Sequence, residues 1–485
     1  MRSARPTVPT TAAFVLALSL LGQQAHAASA DWPNYMFDRN HGGFNRHETT
    51  ITPANASTLT VDWSVNEGSR MFAQPVTGNG LVYWGTFDGF EHASDPQDGT
   101  AVWSTLLGTT SDPVHCRTDA VFGVTSTPAL STVTLAGIPT KVLFVAGGDA
   151  AMYALNALTG AVIWRTSLGT SPSHFVWDSP VVYKGNVYVG VSSLLDCPVV
   201  PGRMFKLSAT TGAVEATLDV MPGGCTGGGI WGSPVVDATR DTLYVATGNP
   251  NENVACPQPV ELAPALLELR TSDLSLVGSW QVPEAEQIVD SDFGSTPNLF
   301  VTAEGVPMVG VANKNGFYYA FRRDALDTGP VWKDAVADGT VPLLAPAAVG
   351  YASLLVASSH TTIKGVSCNG SLRGVDPASG AYRWELCLTN GVQGAVSMAP
   401  GIVVLGVGPR LVVVSTSGKV LYRFFDPAAG SVFKGAASVA AGHIYMGNSD
   451  GIFYAFAPPA ASPTGGRGAE TRSNMRDLRR AGRHQ

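Results

Sequence analysis

The chain has 485 residues, enough for two to four average domains or for one large repeat architecture. Charged residues make up only 14%, Gly (54) and Pro (32) are abundant, and short aliphatic runs alternate with turn residues, which predicts an all-β chain. A formal net charge of -7 argues against nucleic acid as a partner.

In chain order, Arg2 and Arg5, an apolar run from Ala12 to Leu21 and the small-x-small triplet Ala25-His26-Ala27 predict an export signal over residues 1–27. The apolar run is too short to span a bilayer, and no later segment has the length or purity of a transmembrane helix. The expected mature protein is a soluble monomer with no integral membrane segment, secreted or, in a source with an outer membrane, periplasmic. Its six cysteines are then expected to pair. Cys368 and Cys387 flank one predicted hairpin and are expected to bond, whereas Cys116, Cys197, Cys225 and Cys256 leave three pairings open. No cysteine stands in a C-x-x-C-H pattern, so no covalent haem is expected and any electron acceptor would be external.

One phrase recurs from there on: an alternating strand, a small-residue turn, an apolar strand, then a Thr/Ser-Gly turn with a Trp about four residues later. Clear copies end at Trp103, Trp164, Trp332 and Trp384; degenerate copies keep Trp280 or place Ala216 or Tyr422 at that position. The last copy, IYMGNSDGIFYAF, stops before its final strand, and the missing piece occurs at the other end of the chain as LTVDW, Leu59 to Trp63. An eight-bladed β-propeller over residues 30–457, closed by this N-terminal strand in the last blade, accounts for the pattern and leaves no sheet edge at the seam. The repeated Trp residues are expected to pack against neighbouring blades rather than to carry chemistry. Residues 458–485, rich in Pro, Gly, Ser and Arg and without hydrophobic periodicity, predict a disordered basic tail.

Four local patterns stand apart from the blade phrase. Trp231-Gly232 follows a run of glycines and offers a flat hydrophobic face; Thr247-Gly248-Asn249-Pro250 offers an amide oxygen; Lys314-Asn315-Gly316-Phe317-Tyr318 opens a strand; Asp290-Ser291-Asp292-Phe293-Gly294 is an acidic turn ahead of another. No G-x-S-x-G, H-E-x-x-H or P-loop pattern is present, and His115, His174 and His360 read as solvated loop residues.

With these motifs the sequence resembles the quinoprotein dehydrogenases, PQQ-dependent alcohol dehydrogenase-like eight-bladed propellers that hold pyrroloquinoline quinone (PQQ) and usually Ca2+ in the central channel; in style it is nearest the secreted polyvinyl-alcohol-dehydrogenase-like branch. The resemblance implies that Trp231 forms the floor under the quinone, that Lys314 hydrogen-bonds its oxygens, and that Ser192 and Trp177 contact the cofactor. It implies Asn249, Asp196 and Asp290 as metal ligands. Asp290 is the expected general base, with Asp292 orienting it or taking its place. The family's Glu in the first blade and Arg in the second have Phe72 and Phe122 at the nearest positions, Asp196 stands where the family has a Glu, and no two cysteines are adjacent to form its vicinal disulfide. The implied activity is oxidation of a small alcohol or carbinol at its CH-OH group. The alternatives are a non-catalytic propeller serving as a binding or assembly module and a propeller that binds carbohydrate or wall polymer.

Overall fold

The computed structural model describes residues 30–251, 256 and 260–459. The expected export signal and all but the first two residues of the expected tail lie outside them. Within each repeat the middle strands carry side chains buried on both faces, as in Ala151–Asn156, while the outermost strand alternates, as in Val162–Ser167. That division follows from stacking sheets face to face, so that only the outer rim meets water.

Eight four-stranded antiparallel units result, spanning 76–106, 129–167, 181–219, 235–281, 298–335, 348–388, 397–425 and 438–457; these are blades 1 to 8 in chain order. Blade 8 takes its outermost strand, Thr60–Asn66, from the N-terminal end, with Trp63 opposite Ala455. The ring is closed as the truncated last repeat predicts. Two additions have no counterpart in the repeat: His174–Phe175 pairs with Ser192 and Ser193, and a hairpin of Thr361–Ile363 with Val366–Cys368 is inserted in blade 6.

The repeated Trp locks one blade to the next. The indole Nε1 of Trp63, Trp103, Trp164, Trp332 and Trp384 donates to the carbonyls of Pro96, Ala157, Ala209, Pro377 and Thr416, each at 3.0 Å. Each ring lies on the turn glycine of the neighbouring blade: a Cβ at Gly99 or Gly160 would stand 2.6 Å from the indole of Trp63 or Trp103. The Thr/Ser-Gly turn and the Trp are therefore two halves of one contact.

The inner ends of the blades are joined by a second device. The backbone N–H of Gln74 donates to Thr127 Oγ1 (2.8 Å), that of Thr127 to Ser179 Oγ (3.0 Å), that of Ser179 to Ser233 Oγ (2.8 Å) and that of Ser233 to Thr296 Oγ1 (3.0 Å). Each blade from 1 to 4 is thus tied to its successor by a hydroxyl.

Further along the inner strands, residues 32–45 run as a strap across the channel. Carbonyls of Trp32, Pro33, Arg39, Asn40, Gly42 and Gly43 accept from the backbone N–H groups of Thr77, Leu130, Val236, Leu299, Val349 and Met398. Asn45 Nδ2 donates to Val439 O at 2.9 Å, and the Arg39 guanidinium lies 5.6 Å from the centre of the Tyr183 ring. The strap reaches every blade and satisfies strand-edge donors that would otherwise face the channel. Tyr35, on this strap, is buried, and burial pushes its hydroxyl up to about 12.

Three disulfides are present, Cys116–Cys197, Cys225–Cys256 and Cys368–Cys387. The third is the expected hairpin bond, and the first two resolve the pairing left open by the sequence. Disulfides of this number suggest an extracytoplasmic location. No helix among the described residues is long and apolar enough to cross a membrane.

Replacing Trp63 with Ala removes both the hydrogen bond to Pro96 and the ring seated on Gly99 at the one interface where chain ends meet. The expected loss is about 3–5 kcal/mol, read from denaturant unfolding. A loss below about 1 kcal/mol would show that this contact does not hold the ring closed.

Candidate functional site

The eight blades present equivalent residues to the channel, five positions before the strap-bonded residue where there is one. Phe72, Thr125, Trp177 and Trp231 come from blades 1 to 4. Gly294, Leu344, Gln393 and Lys434 come from blades 5 to 8. All eight line a chamber of about 400 Å3 that has Tyr35 among its other walls. The two tryptophans also line a second cavity, of about 540 Å3, together with Ser192, Asp196, Asn249, Asp290, Asp292 and Lys314. Every site residue named from sequence therefore borders one cavity, and Trp177 and Trp231 stand between it and the chamber.

On the wall of this cavity is a three-residue charge cluster. Lys314 Nζ donates to both oxygens of Asp290 (2.8 and 3.0 Å) and to Asp292 Oδ2 (2.7 Å), and lies 4.9 Å from the centre of the Trp231 ring. The two carboxylates are not equivalent. Asp290 is 55% exposed and faces the cavity, whereas Asp292 is 14% exposed and also accepts from the backbone N–H of Asn249. Burial outweighs the nearby ammonium and holds the Asp292 carboxyl above the ordinary carboxylate range. For Lys314 burial acts the other way, but Asp292 and Asp290 together overcome it and keep the ammonium protonated above its usual value. Asn249 Nδ2 approaches Asp290 Oδ1 at 3.5 Å, so these two metal-ligand candidates are neighbours.

The glycine run beside Trp231 builds the wall between blades 3 and 4. Gly227 N–H donates to Val200 O and Gly202 N–H to Gly227 O, while Gly228 N–H donates to Asn249 O and Gly248 N–H to Gly229 O. Gly227 has φ +97°, and a Cβ there would meet Asn249 O at 2.5 Å, so only glycine allows the approach. Asp196 lies exposed on the loop stapled by Cys116–Cys197 and makes no hydrogen bond to Asn249 or Asp290. Ser192 is buried at the cavity edge, and Trp177 donates through Nε1 to Ser193 O and Leu194 O, both at 3.1 Å.

Phe72 and Phe122 belong to an aromatic ladder: Phe72 to Phe87 at 4.8 Å, Phe87 to Phe122 at 5.7 Å and Phe122 to Trp177 at 5.5 Å between ring centres. The sequence reading did not single out Lys434 or Tyr35. Lys434 could have been found by aligning the residues two positions ahead of each inner-strand hydroxyl or its substitute, since it occupies in blade 8 the place that Trp231 holds in blade 4.

The family described as outer membrane protein assembly factor BamB matches residues 92–259. A polyvinylalcohol dehydrogenase of a Pseudomonas species is 25% identical over 82% of this chain and 70% of its own length. The quinohemoprotein alcohol dehydrogenase of Comamonas testosteroni is 28% identical over 46% of this chain and 34% of its own length. Its crystal structure superposes with a TM-score of 0.69 at 18% identity, covering 93% of this chain and 84% of that one. A europium-containing methanol dehydrogenase superposes with a TM-score of 0.70 at 15% identity, over 88% of this chain and 98% of that one.

The donors present fit a flat cofactor with a hard cation beside it. The cavity volume is in the range of cofactor sites, and Gly294 leaves Trp231 its seat, since a Cβ there would lie 2.7 Å from the indole Cη2. Asp196, Asp290 and Asp292 against one Lys314 leave an excess of two negative charges among oxygen donors, the chemistry that suits Ca2+. Among the described residues no three acidic, His or Cys side chains converge on one point, so cofactor or water oxygens would have to complete the coordination.

Replacing Lys314 with Met leaves two carboxylates facing each other without their counter-ion. The expected destabilisation at pH 7 is about 2 kcal/mol, below the figure for a fully buried pair because Asp290 is half exposed. A carboxyl whose folded pKa lies above its unfolded value stabilises the fold below the unfolded pKa and loses that stabilisation as pH rises. The gap between wild type and variant in urea unfolding should therefore shrink as pH falls from 7 toward 4; a constant gap would mean the cluster is not ionised as described.

Proposed function

We propose, from its similarity to the polyvinylalcohol and quinohemoprotein alcohol dehydrogenases, that the chain is a PQQ-dependent alcohol dehydrogenase-like propeller that oxidises an alcohol or carbinol at its CH-OH group with PQQ and Ca2+, passing electrons to an external acceptor. The observation that carries this reading is the convergence of Trp231, Asn249, Asp290 and Lys314 on one cavity. When bound, PQQ would supply the two-electron acceptor and Ca2+ a Lewis acid next to it.

Asp290 has the placement of a general base: its carboxylate is open to the cavity and its orientation is fixed by two bonds from Lys314. It would take the hydroxyl proton of the substrate. Asp292 is a positioning residue, held from behind by Asn249 and bonded to the same ammonium. Lys314 keeps its proton, orients Asp290 and presents positive charge over the face of Trp231. Trp231 would give the cofactor its flat apolar contact, and Asn249, Asp290 and Asp196 are the oxygens available to the cation.

A second reading is favoured by the match of residues 92–259 to the assembly-factor family and by the apolar Phe72 and Phe122 at the positions nearest the family's Glu and Arg: a propeller that binds a partner and no quinone. One experiment separates the two. Purified protein mixed with PQQ and Ca2+ should acquire a bound quinone chromophore and reduce an artificial dye with a panel of alcohols. Asp290→Asn should retain the chromophore and lose about 100-fold to 10,000-fold in turnover, the usual range for a missing general base. Asn249→Ala should weaken the metal, with partial rescue by excess Ca2+. A protein that takes up no quinone is the binding module instead.

A further inference from the structure

Charge is segregated across the mouth of the channel. The cavity on the side of blades 3 to 5 has three carboxylates to one ammonium. A separate cleft of about 460 Å3 on the other side of Trp177 reverses this balance: Arg70 and Lys434 are its cations and Asp450 its one acid, set against walls of Phe72, Phe87 and Phe122. Among the described residues neither Arg70 nor Lys434 makes an ion pair; the ammonium of Lys434 lies 5.4 Å from the centre of the Phe72 ring. Lys434 also borders the chamber beneath Trp231, and Trp177 borders all three spaces. Positions four blades apart in an eightfold ring face one another, so Lys434 stands across the channel from Trp231.

We propose that Lys434, assisted by Arg70, is the carboxylate-binding end of the cofactor site and fixes which way the cofactor lies on Trp231. The proposal rests on the quinoprotein reading above. PQQ is planar, with a quinone edge and three carboxylates. Carboxylates placed among Asp196, Asp290 and Asp292 would be repelled, whereas next to Lys434 and Arg70 they gain charge-assisted bonds over an aromatic wall. The two ends of the molecule are thereby sorted, with the quinone edge toward Lys314 and Asp290. The cation that the family carries in blade 2, where this chain has Phe122, is supplied here from blade 8.

The test is equilibrium binding of PQQ, in the presence of Ca2+, followed by quenching of tryptophan fluorescence, with the trimethyl ester of PQQ as a probe of the same ring without its carboxylate charge. Lys434→Met should weaken PQQ binding about 10-fold to 100-fold and leave ester binding unchanged. Lys434→Arg should restore most of the loss, and Arg70→Met should show a smaller effect of the same kind. Affinity of the wild type for PQQ should also fall with added salt more steeply than that of Lys434→Met. Lys434 is exposed, so thermal unfolding of the variants should match the wild type. If the wild type binds PQQ and Lys434→Met binds it equally well, or loses PQQ and ester alike, the assignment of Lys434 is overturned while the cofactor reading stands. If the wild type binds no PQQ at all, the cofactor reading falls and the assignment with it.

Discussion

The contact on which the rest of the molecule depends is an indole resting on a glycine. Five times around the ring, a Trp on the outer strand of one blade donates to a turn carbonyl of the next and covers a glycine whose missing Cβ makes room for it. Its energy is partly apolar burial and partly one satisfied indole N–H, but its main effect is geometric. A hydrogen bond and a ring face together fix both the spacing and the tilt between sheets. Repeated from blade to blade, they set the diameter of the channel and so the distance at which residues on opposite blades face each other. Because Trp63 comes from the N-terminal strand, the same contact that sets the repeat also closes it.

A fixed ring makes the inner ends of the blades into addresses. The hydroxyls of Thr127, Ser179, Ser233 and Thr296 occupy equivalent positions, and the residue two places earlier in each blade points to the channel. The side chain at that position then sets what each blade presents to the channel: Trp in blades 3 and 4, Gly in blade 5 where the indole of Trp231 needs room, Lys in blade 8. The acidic turn of Asp290 and Asp292 lies immediately ahead of the same address in blade 5. The strap of residues 32–45 binds the far end of the inner strands, leaving the loops on the cavity side as the ones free to vary.

The blades, the ring closure and the hairpin disulfide were legible because each leaves a side-chain pattern: period-two burial, a Trp at a constant offset, a repeat cut short at one end and completed at the other. The candidate site was legible where a motif stands apart from the blade phrase, as for Trp231, Asn249, Lys314 and Asp290, which the fold brings to one cavity. Other features left no such mark. The strap contacts the blades through its carbonyls, and backbone pairing places few demands on side chains. The hydroxyl ties use Ser and Thr, which are common in any β-rich chain. Lys434 precedes Ala436, which stands where other blades carry the hydroxyl, so the sequence marks its equivalence to Trp231 only faintly. The pairing of Cys116 with Cys197 and of Cys225 with Cys256 depends on loops brought together by the ring, at sequence separations of 81 and 31 that carry no rule.

The one interface where the Trp is replaced by a small residue clarifies why the site lies where it does. Blade 3 has Ala216 at the Trp position, and the facing turn of blade 4 has Leu274 in place of the glycine, with φ +61°. Tyr188 still donates to the turn carbonyl of Thr271 at 2.7 Å, and Lys206 fills part of the gap, donating to Ser272 O at 2.8 Å. The joint is also secured at its inner end, where Gly202, Gly227, Gly228 and Gly248 exchange backbone hydrogen bonds with Val200, Asn249 and Gly229, and where Cys225 bonds to Cys256. That stitch requires glycine because any side chain would push the loops apart: a Cβ on Gly202 would stand 1.9 Å from Gly228 O. Its result is to bring Ser192 and Asp196 of blade 3 and Trp231 and Asn249 of blade 4 to a common wall. The glycine run thus closes the inner end of the one joint whose outer strand carries Ala216 in place of a Trp, and the candidate site borders that closure.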